Sequence, residues 1–150
     1  MSAGRIVLLV GFLVVAVGAI LLRDRLSSNA GDLKVGDCFD VPVGTEIKDV
    51  QHHPCNEAHD GEVLFIAKYE GSETLPSPTQ FESWVGDNCL TQVFKDYVGA
   101  TYESREDISA GAFWPTADGW PGGDREVTCY LTPTDEQKIT TSYRAAAAPS

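Results

Sequence analysis

Residues 6–22 carry seventeen consecutive side chains with neither a charge nor a polar group, bounded by Arg5 on one side and by Arg23, Asp24 and Arg25 on the other. As a helix such a run is ~25 Å long, the lower end of what crosses a bilayer's hydrocarbon core. A segment apolar on every side cannot form the one-sided wall of a small core. It reads instead as a membrane anchor or a secretory signal. A signal would use Met1–Arg5 as its n-region and cleave after Ala19, with Val17 at the −3 position. The apolar run continues through Ile20, Leu21 and Leu22, beyond the small residues where cleavage would fall, so an uncleaved anchor is expected. Flanking charge is close to a tie and does not orient it. The cysteines do. Cys38, Cys55, Cys89 and Cys129 form an even set, all C-terminal to the run, a pattern of disulfides made outside the cytoplasm. The expected organisation is a cytoplasmic N-terminus (1–5), a span (6–22), a juxtamembrane linker (23–32), an extracytoplasmic domain (33–132) and a disordered tail (133–150), with the protein in the cell membrane as a single-pass chain.

Residues 31–150 suffice for one domain. The whole chain has 22 acidic and 11 basic residues. Without Arg5, Arg23, Arg25 and Asp24, there remain 21 acidic and 8 basic residues, a net −13. Such a domain repels phosphates and anionic lipid headgroups, so nucleic acid is not an expected partner. The charge by itself speaks to solubility.

Lys34–Val41 alternates after a glycine and reads as a strand, Ile47–Gln51 as a short second one, and Glu62–Tyr69 as a strand buried on both faces. Thr79 with Glu82 resembles a capping box after Pro78. Phe81, Trp84, Val85, Leu90, Val93, Phe94, Tyr97 and Val98 recur at helical spacing. Gly86-Asp87 interrupts the helix propensity, so the segment reads as two helices joined by a kink there, and Gly99 as the C-terminal cap. Thr101–Ser104 is a possible strand, Ala110–Asp124 a long ordered loop, and Arg125–Leu131 a last strand stopped by Pro133. The order predicts an α+β fold: a small disulfide-stapled antiparallel sheet packed on one main helix.

The densest chemistry is His52-His53-Pro54-Cys55-Asn56-Glu57-Ala58-His59-Asp60. His53, Cys55 and His59 would supply three zinc ligands, but the spacing matches no standard module, and a disulfide at Cys55 removes its thiolate. No metal or other cofactor is therefore expected. The competing reading is a turn in which Asn56 or Asp60 caps backbone amides and His59 bonds within the loop. No nucleophile elbow, no Ser-x-x-Lys and no unpaired thiol stand out, so the chain reads as non-enzymatic. Trp114 and Trp120, with Phe113, Pro115 and Pro121, would stack on sugars or proline-rich peptides. The plainer reading is that they plug the open side of the sheet and cover a disulfide, with Arg125 paired to a carboxylate. Candidate binding residues are thus Trp114, Trp120, Arg125, His53, His59 and Asp60. Of three possible connectivities, Cys38–Cys129 and Cys55–Cys89 would join the two ends of the domain and pin the helix to the histidine loop.

Leu33-Lys34-Val35-Gly36-Asp37-Cys38-Phe39, then Cys55 with His59-Asp60 before a strand, Cys89 on the helix, Trp114-Pro115-Thr116, Trp120, Gly123-Asp124-Arg125 and Cys129 form a specific order. It resembles the septum-formation domain family of actinobacterial membrane proteins over about 100 residues, Leu33–Leu131, departing from it at Ala58, where proline is expected. The resemblance implies an anchored envelope protein with an outward cysteine domain and no catalytic residues to carry over. The expected function is a membrane-anchored extracytoplasmic protein-interaction domain in a division or cell-wall context, with an envelope protein as partner. The alternative is a domain that binds a cell-wall fragment or a metal ion through the tryptophan or histidine loop.

Overall fold

A computed structural model describes residues 27–28, 30–43 and 49–146. The apolar run at 6–22 lies outside the described residues, and among the described residues no helix is long and apolar enough to cross a membrane.

Five strands make the sheet: β2 (Cys38–Asp40), β3 (Val50–His53), β4 (Gly61–Lys68), β5 (Ile108–Phe113) and β6 (Glu126–Pro133). A two-residue strip, β1 (Ser27–Ser28), is added at the β3 edge. The spatial order is β1-β3-β2-β4-β6-β5, antiparallel throughout. Two helices, α1 (Pro78–Cys89) and α2 (Gln92–Val98), connect β4 to β5.

The alternation of strand side chains builds two cores. On the helix side, Leu64, Ile108, Val127, Cys129 and Leu131 meet Phe81, Val85, Phe94, Tyr97 and Trp120. Fully burying a side chain such as Phe81 contributes ~1.5–3 kcal/mol. On the other side, Phe39, Val63, Phe113, Val50 and Leu33 form a smaller cluster. The register of β4 against β6 shifts between Val63 and Phe65, so Leu64 and Phe65 both join the helix-side cluster. That bulge is how an unbroken apolar run serves two faces.

Helix α1 starts two residues earlier than its sequence suggests. Ser77 is the N-cap, its hydroxyl accepts from the Gln80 amide and Gln80 reaches back to the Ser77 amide, with Pro78 at the first helical position. A Ser–Gln box satisfies two amides that have no helical partner, so Thr79 and Glu82 take no such part. The helix runs through Gly86 and Asp87, and the break falls at Leu90-Thr91. Two helices are thus present as expected, with the break at Leu90-Thr91 and not at Gly86-Asp87. Gly99 ends α2 at φ 80°, its amide donating to the Lys95 carbonyl, as expected of a left-handed cap.

Five further expectations are corrected. Ala110–Phe113 belongs to β5 and Tyr102–Ser104 is a 3-10 turn. The linker reading of 23–32 fails at Ser27–Ser28, which pairs with Val50 and Gln51. The disordered-tail reading fails at Thr134–Ala146: Ile139 exchanges backbone hydrogen bonds with His59 (3.0 and 2.8 Å) and the Ala145 amide donates to the Tyr97 carbonyl (2.8 Å). Backbone pairing and polar contacts hold this segment, and neither leaves an apolar signature in the sequence. Finally, the disulfides are Cys38–Cys55 and Cys89–Cys129, with Cα–Cα distances of 5.2 and 6.5 Å. The β2–β3 pairing sets Cys38 opposite His53, two residues from Cys55. Cys129 faces the helix side of β6, where α1 ends at Cys89.

Candidate functional site

The tryptophan loop faces inward. Trp120 is buried (3% exposed), and its indole N–H donates to the Glu73 carbonyl at 3.0 Å. The Trp114 ring stacks parallel on Phe81, with centroids 5.2 Å apart, and Tyr69 meets Phe81 and Trp120 edge-on. Arg125 lies with its guanidinium carbon 3.7 Å from the Trp120 ring centre, and Nη1 donates to the Trp120 and Asp124 carbonyls at 2.6 and 2.7 Å. The expected carboxylate partner is thus replaced by carbonyls and a π face, a cation–π contact favoured by partial desolvation. The two tryptophans share one cluster with Cys89 and Cys129, which is the plug arrangement.

The histidine loop is divided. His52 and His53 lie on β3 beside Asp37 and Asp40: His52 Nδ1 is 3.9 Å from Asp37 Oδ2, and His53 Nε2 is 3.0 Å from Asp40 Oδ2. Asp40 also accepts from the Lys138 ammonium at 2.7 Å. Partial burial alone would raise the Asp40 carboxyl, but Lys138 and His53 together hold it below the ordinary aspartate value. Asp60 Oδ1 accepts from the Val41 amide at 2.6 Å, which is the capping role expected of it. Zinc ligation by His53, Cys55 and His59 is not assembled, because Cys55 is bonded to Cys38 and His53 faces Asp40.

His59 is fully buried, and its Nδ1–H donates to the Glu57 carbonyl at 2.7 Å. Its other ring nitrogen, Nε2, has no hydrogen-bond partner among the described residues. Nearby lies Glu62, which the sequence places at the head of a strand within the family pattern but does not mark as a site residue. Its side chain is fully buried. Glu62 Oε1 accepts from the Tyr97 hydroxyl and the Ser142 hydroxyl, both at 2.6 Å, and Oε2 accepts from the Tyr143 amide at 2.7 Å. One carboxylate thereby ties β4, α2 and the C-terminal segment. The available signal was a carboxylate standing immediately before Val63-Leu64-Phe65, since a charge on a buried face must be hydrogen-bonded. Ligand atoms of Cys38, His59 and Glu62 all lie within 4.8 Å of one another, but the Cys38 sulfur is spent in a disulfide and supplies no thiolate.

Burial, with Glu62 beside it, drives the Tyr97 hydroxyl well above its ordinary value. Burial, with Asp107 and Glu62, pushes Tyr143 up to about 12. The Tyr97 phenol therefore serves Glu62 as a neutral donor, while Tyr143 reaches the same carboxylate through its backbone amide. Two clefts of about 440 Å³ flank the C-terminal segment. One is bordered by Phe65, Val93, Asp96 and Arg144, the other by Arg105, Asp107, Thr141 and Tyr143.

A family model described as Septum formation matches residues 35–149. No curated protein and no solved structure matches the chain. The matched region takes in both disulfides, Glu62 with its partners and the tryptophan plug, and it extends past β6 over the segment that Glu62 holds. It covers well over half of the sequence, and the chain therefore belongs to the Septum formation family, whose name ties it to cell division.

Proposed function

We propose that the chain is a non-catalytic partner-binding domain, held at the cell membrane by residues 6–22 and working outside the cytoplasm in septum formation. The observation that carries this reading is where the reactive residue types sit. His59, Glu62, Trp120 and Arg125 are engaged with one another's neighbours inside the domain, so they act as fold-holding groups beneath an acidic exterior. Two disulfides from four cysteines suit an oxidising compartment, and that supports the outward topology. The expected partner is an envelope protein with a cationic contact surface, favoured by the net charge of −11. In cells, a photoreactive residue at exposed Glu57, Thr79 or Glu82 should crosslink one envelope protein reproducibly. A phosphatase active only outside the cytoplasm, fused after Ser150, should be active. An inactive fusion, or crosslinks no different from those of an unrelated anchored domain, refutes the reading.

A further inference from the structure

The C-terminal strap, Gln137–Ala145, lies across the domain as a bound peptide would. Ile139 pairs with the backbone of His59 as a single antiparallel bridge. Lys138 donates to Asp40 at 2.7 Å. The Ser142 hydroxyl and the Tyr143 amide donate to Glu62. The Arg144 guanidinium lies 4.9 Å from the Tyr97 ring centre, and the Ala145 amide donates to the Tyr97 carbonyl. Nearly every anchor is polar. From Thr134 to Ala146 only Ile139 and Tyr143 are half-buried, and the other side chains are exposed. A segment with so little apolar burial belongs to the low-stability end of a fold. It enters through a turn in which Glu136 takes φ 58°, a left-handed conformation unusual for its type.

The receiving surface is built more firmly than the strap. Glu62 is a fully buried carboxylate, and among the described residues no cation pairs with it and His59 Nε2 has no hydrogen-bond partner. Such groups are costly to leave uncovered, so something with donors must fill the cradle. The strap also brings two cations, Lys138 and Arg144, onto a protein with twice as many acidic as basic residues.

We propose that Asp40, the His59 backbone, Glu62 and Tyr97 form a docking cradle for an extended basic peptide segment of the partner, and that the strap fills this cradle in cis until the partner displaces it. The proposal rests on the partner-binding reading above and names its site. The chemistry of the occupant follows from the strap: a backbone that pairs in extended form with His59, a cation for Asp40, a hydroxyl for Glu62 and a guanidinium over Tyr97. This is β-strand addition combined with charge recognition.

The test uses the full chain in detergent micelles and a fluorescein-labelled synthetic peptide of residues 137–146. The strap is weakened by Lys138→Ala, Ser142→Ala and Arg144→Ala together. By fluorescence anisotropy the triple variant should bind the probe at least ten-fold more tightly than the unsubstituted chain does, because its own strap competes less. A probe with alanine at the Lys138 and Arg144 positions should bind at least ten-fold more weakly. Equal affinity of both proteins for the probe overturns the proposal. Hydrogen exchange on the unsubstituted chain supplies a readout that needs no variant. The Ile139, Tyr143 and Ala145 amides should exchange at least a hundred-fold faster than those of Val63 and Cys129. If they open only with the core, the strap is a fixed part of the fold and the cradle is not a docking site. A flat probe titration alongside reproducible crosslinks at Thr79 or Glu82 would remove this cradle and leave partner binding elsewhere standing.

Discussion

Gly61 opens β4 with its backbone against the Phe39 ring. A Cβ there would stand 2.6, 2.7 and 3.0 Å from three ring carbons, where carbon pairs are at their best at ~3.5–4.0 Å. The ring or the strand would have to move by about 1 Å. The ring has no room to yield: Phe39 is fully buried, with Phe113 and Tyr130 at centroid distances of 5.7 and 5.5 Å. Overpacking of this kind costs ~1–3 kcal/mol. Gly61 is not in the left-handed region, so alanine recovers ~0.5–1 kcal/mol of chain entropy. Gly61→Ala should therefore destabilise by about 1 kcal/mol net, lowering Tm by about 4 °C for a domain of this size. The assay is thermal unfolding followed by circular dichroism with the disulfides intact. Phe39→Leu removes the clashing ring edge, and in that background Gly61→Ala should cost at least about 1 kcal/mol less, the coupling a double-mutant cycle reads. Gly86 supplies the opposite sign. It lies within α1 with nothing within 4 Å of its would-be Cβ, so Gly86→Ala should stabilise by ~0.5–1 kcal/mol. Equal shifts at the two glycines, or a Gly61→Ala loss unchanged by Phe39→Leu, would refute the steric account.

The remaining predictions concern the staples, the buried carboxylate and pH. Removing Cys38–Cys55, which closes 17 residues, should cost ~3 kcal/mol, and removing Cys89–Cys129, which closes 40, ~4 kcal/mol; urea midpoints of the two double serine variants give the order, and a Cys38–Cys129 peptide in a non-reducing digest would contradict both. Glu62→Ala strands the Tyr97 hydroxyl and the Tyr143 amide while Ser142 turns to water, a loss of ~2–4 kcal/mol; a urea midpoint unchanged from the parent would show that the carboxylate's own desolvation cancels its bonds. At the acid end, Asp40 is held below its ordinary value, so its contribution is complete above about pH 4 and fades as pH falls through the depressed value. Lys138→Ala should flatten that limb of the urea-midpoint profile between pH 2 and 5. At the alkaline end Tyr143 is pushed up to about 12, so its contribution is complete below about pH 10 and is lost as pH rises through 12. Tyr143→Phe should remove part of that loss; a profile parallel to the parent's would show that Tyr143 ionisation does not govern alkaline unfolding.

The sequence carried the elements whose physics is local. The apolar stretch before Pro133 in β6, the spacing of Phe81, Val85 and Phe94, and Gly99 at the end of α2 each depend on neighbours within a few residues, and each is where its pattern put it. The α1 cap was misassigned by two residues because Thr79–Glu82 and Ser77–Gln80 offer the same signature, and only the φ and ψ angles of Ser77 distinguish them. The plug role of Trp120 was legible from the need of a small domain for large apolar side chains. Arg125's partners were not legible, since a carbonyl leaves no trace in composition.

By itself the sequence determined that this chain is acidic, has four cysteines to pair, builds an antiparallel α+β domain and follows the Septum formation pattern. Only the tertiary structure decided which cysteines meet, because pairing follows strand register and the face on which each side chain emerges, and a one-residue shift reverses that face. Only the tertiary structure made Glu62 the knot between β4, α2 and the C-terminal strap, because its partners lie 35, 80 and 81 positions away along the chain. A buried charge is defined by what surrounds it, and that neighbourhood exists only once the chain is folded.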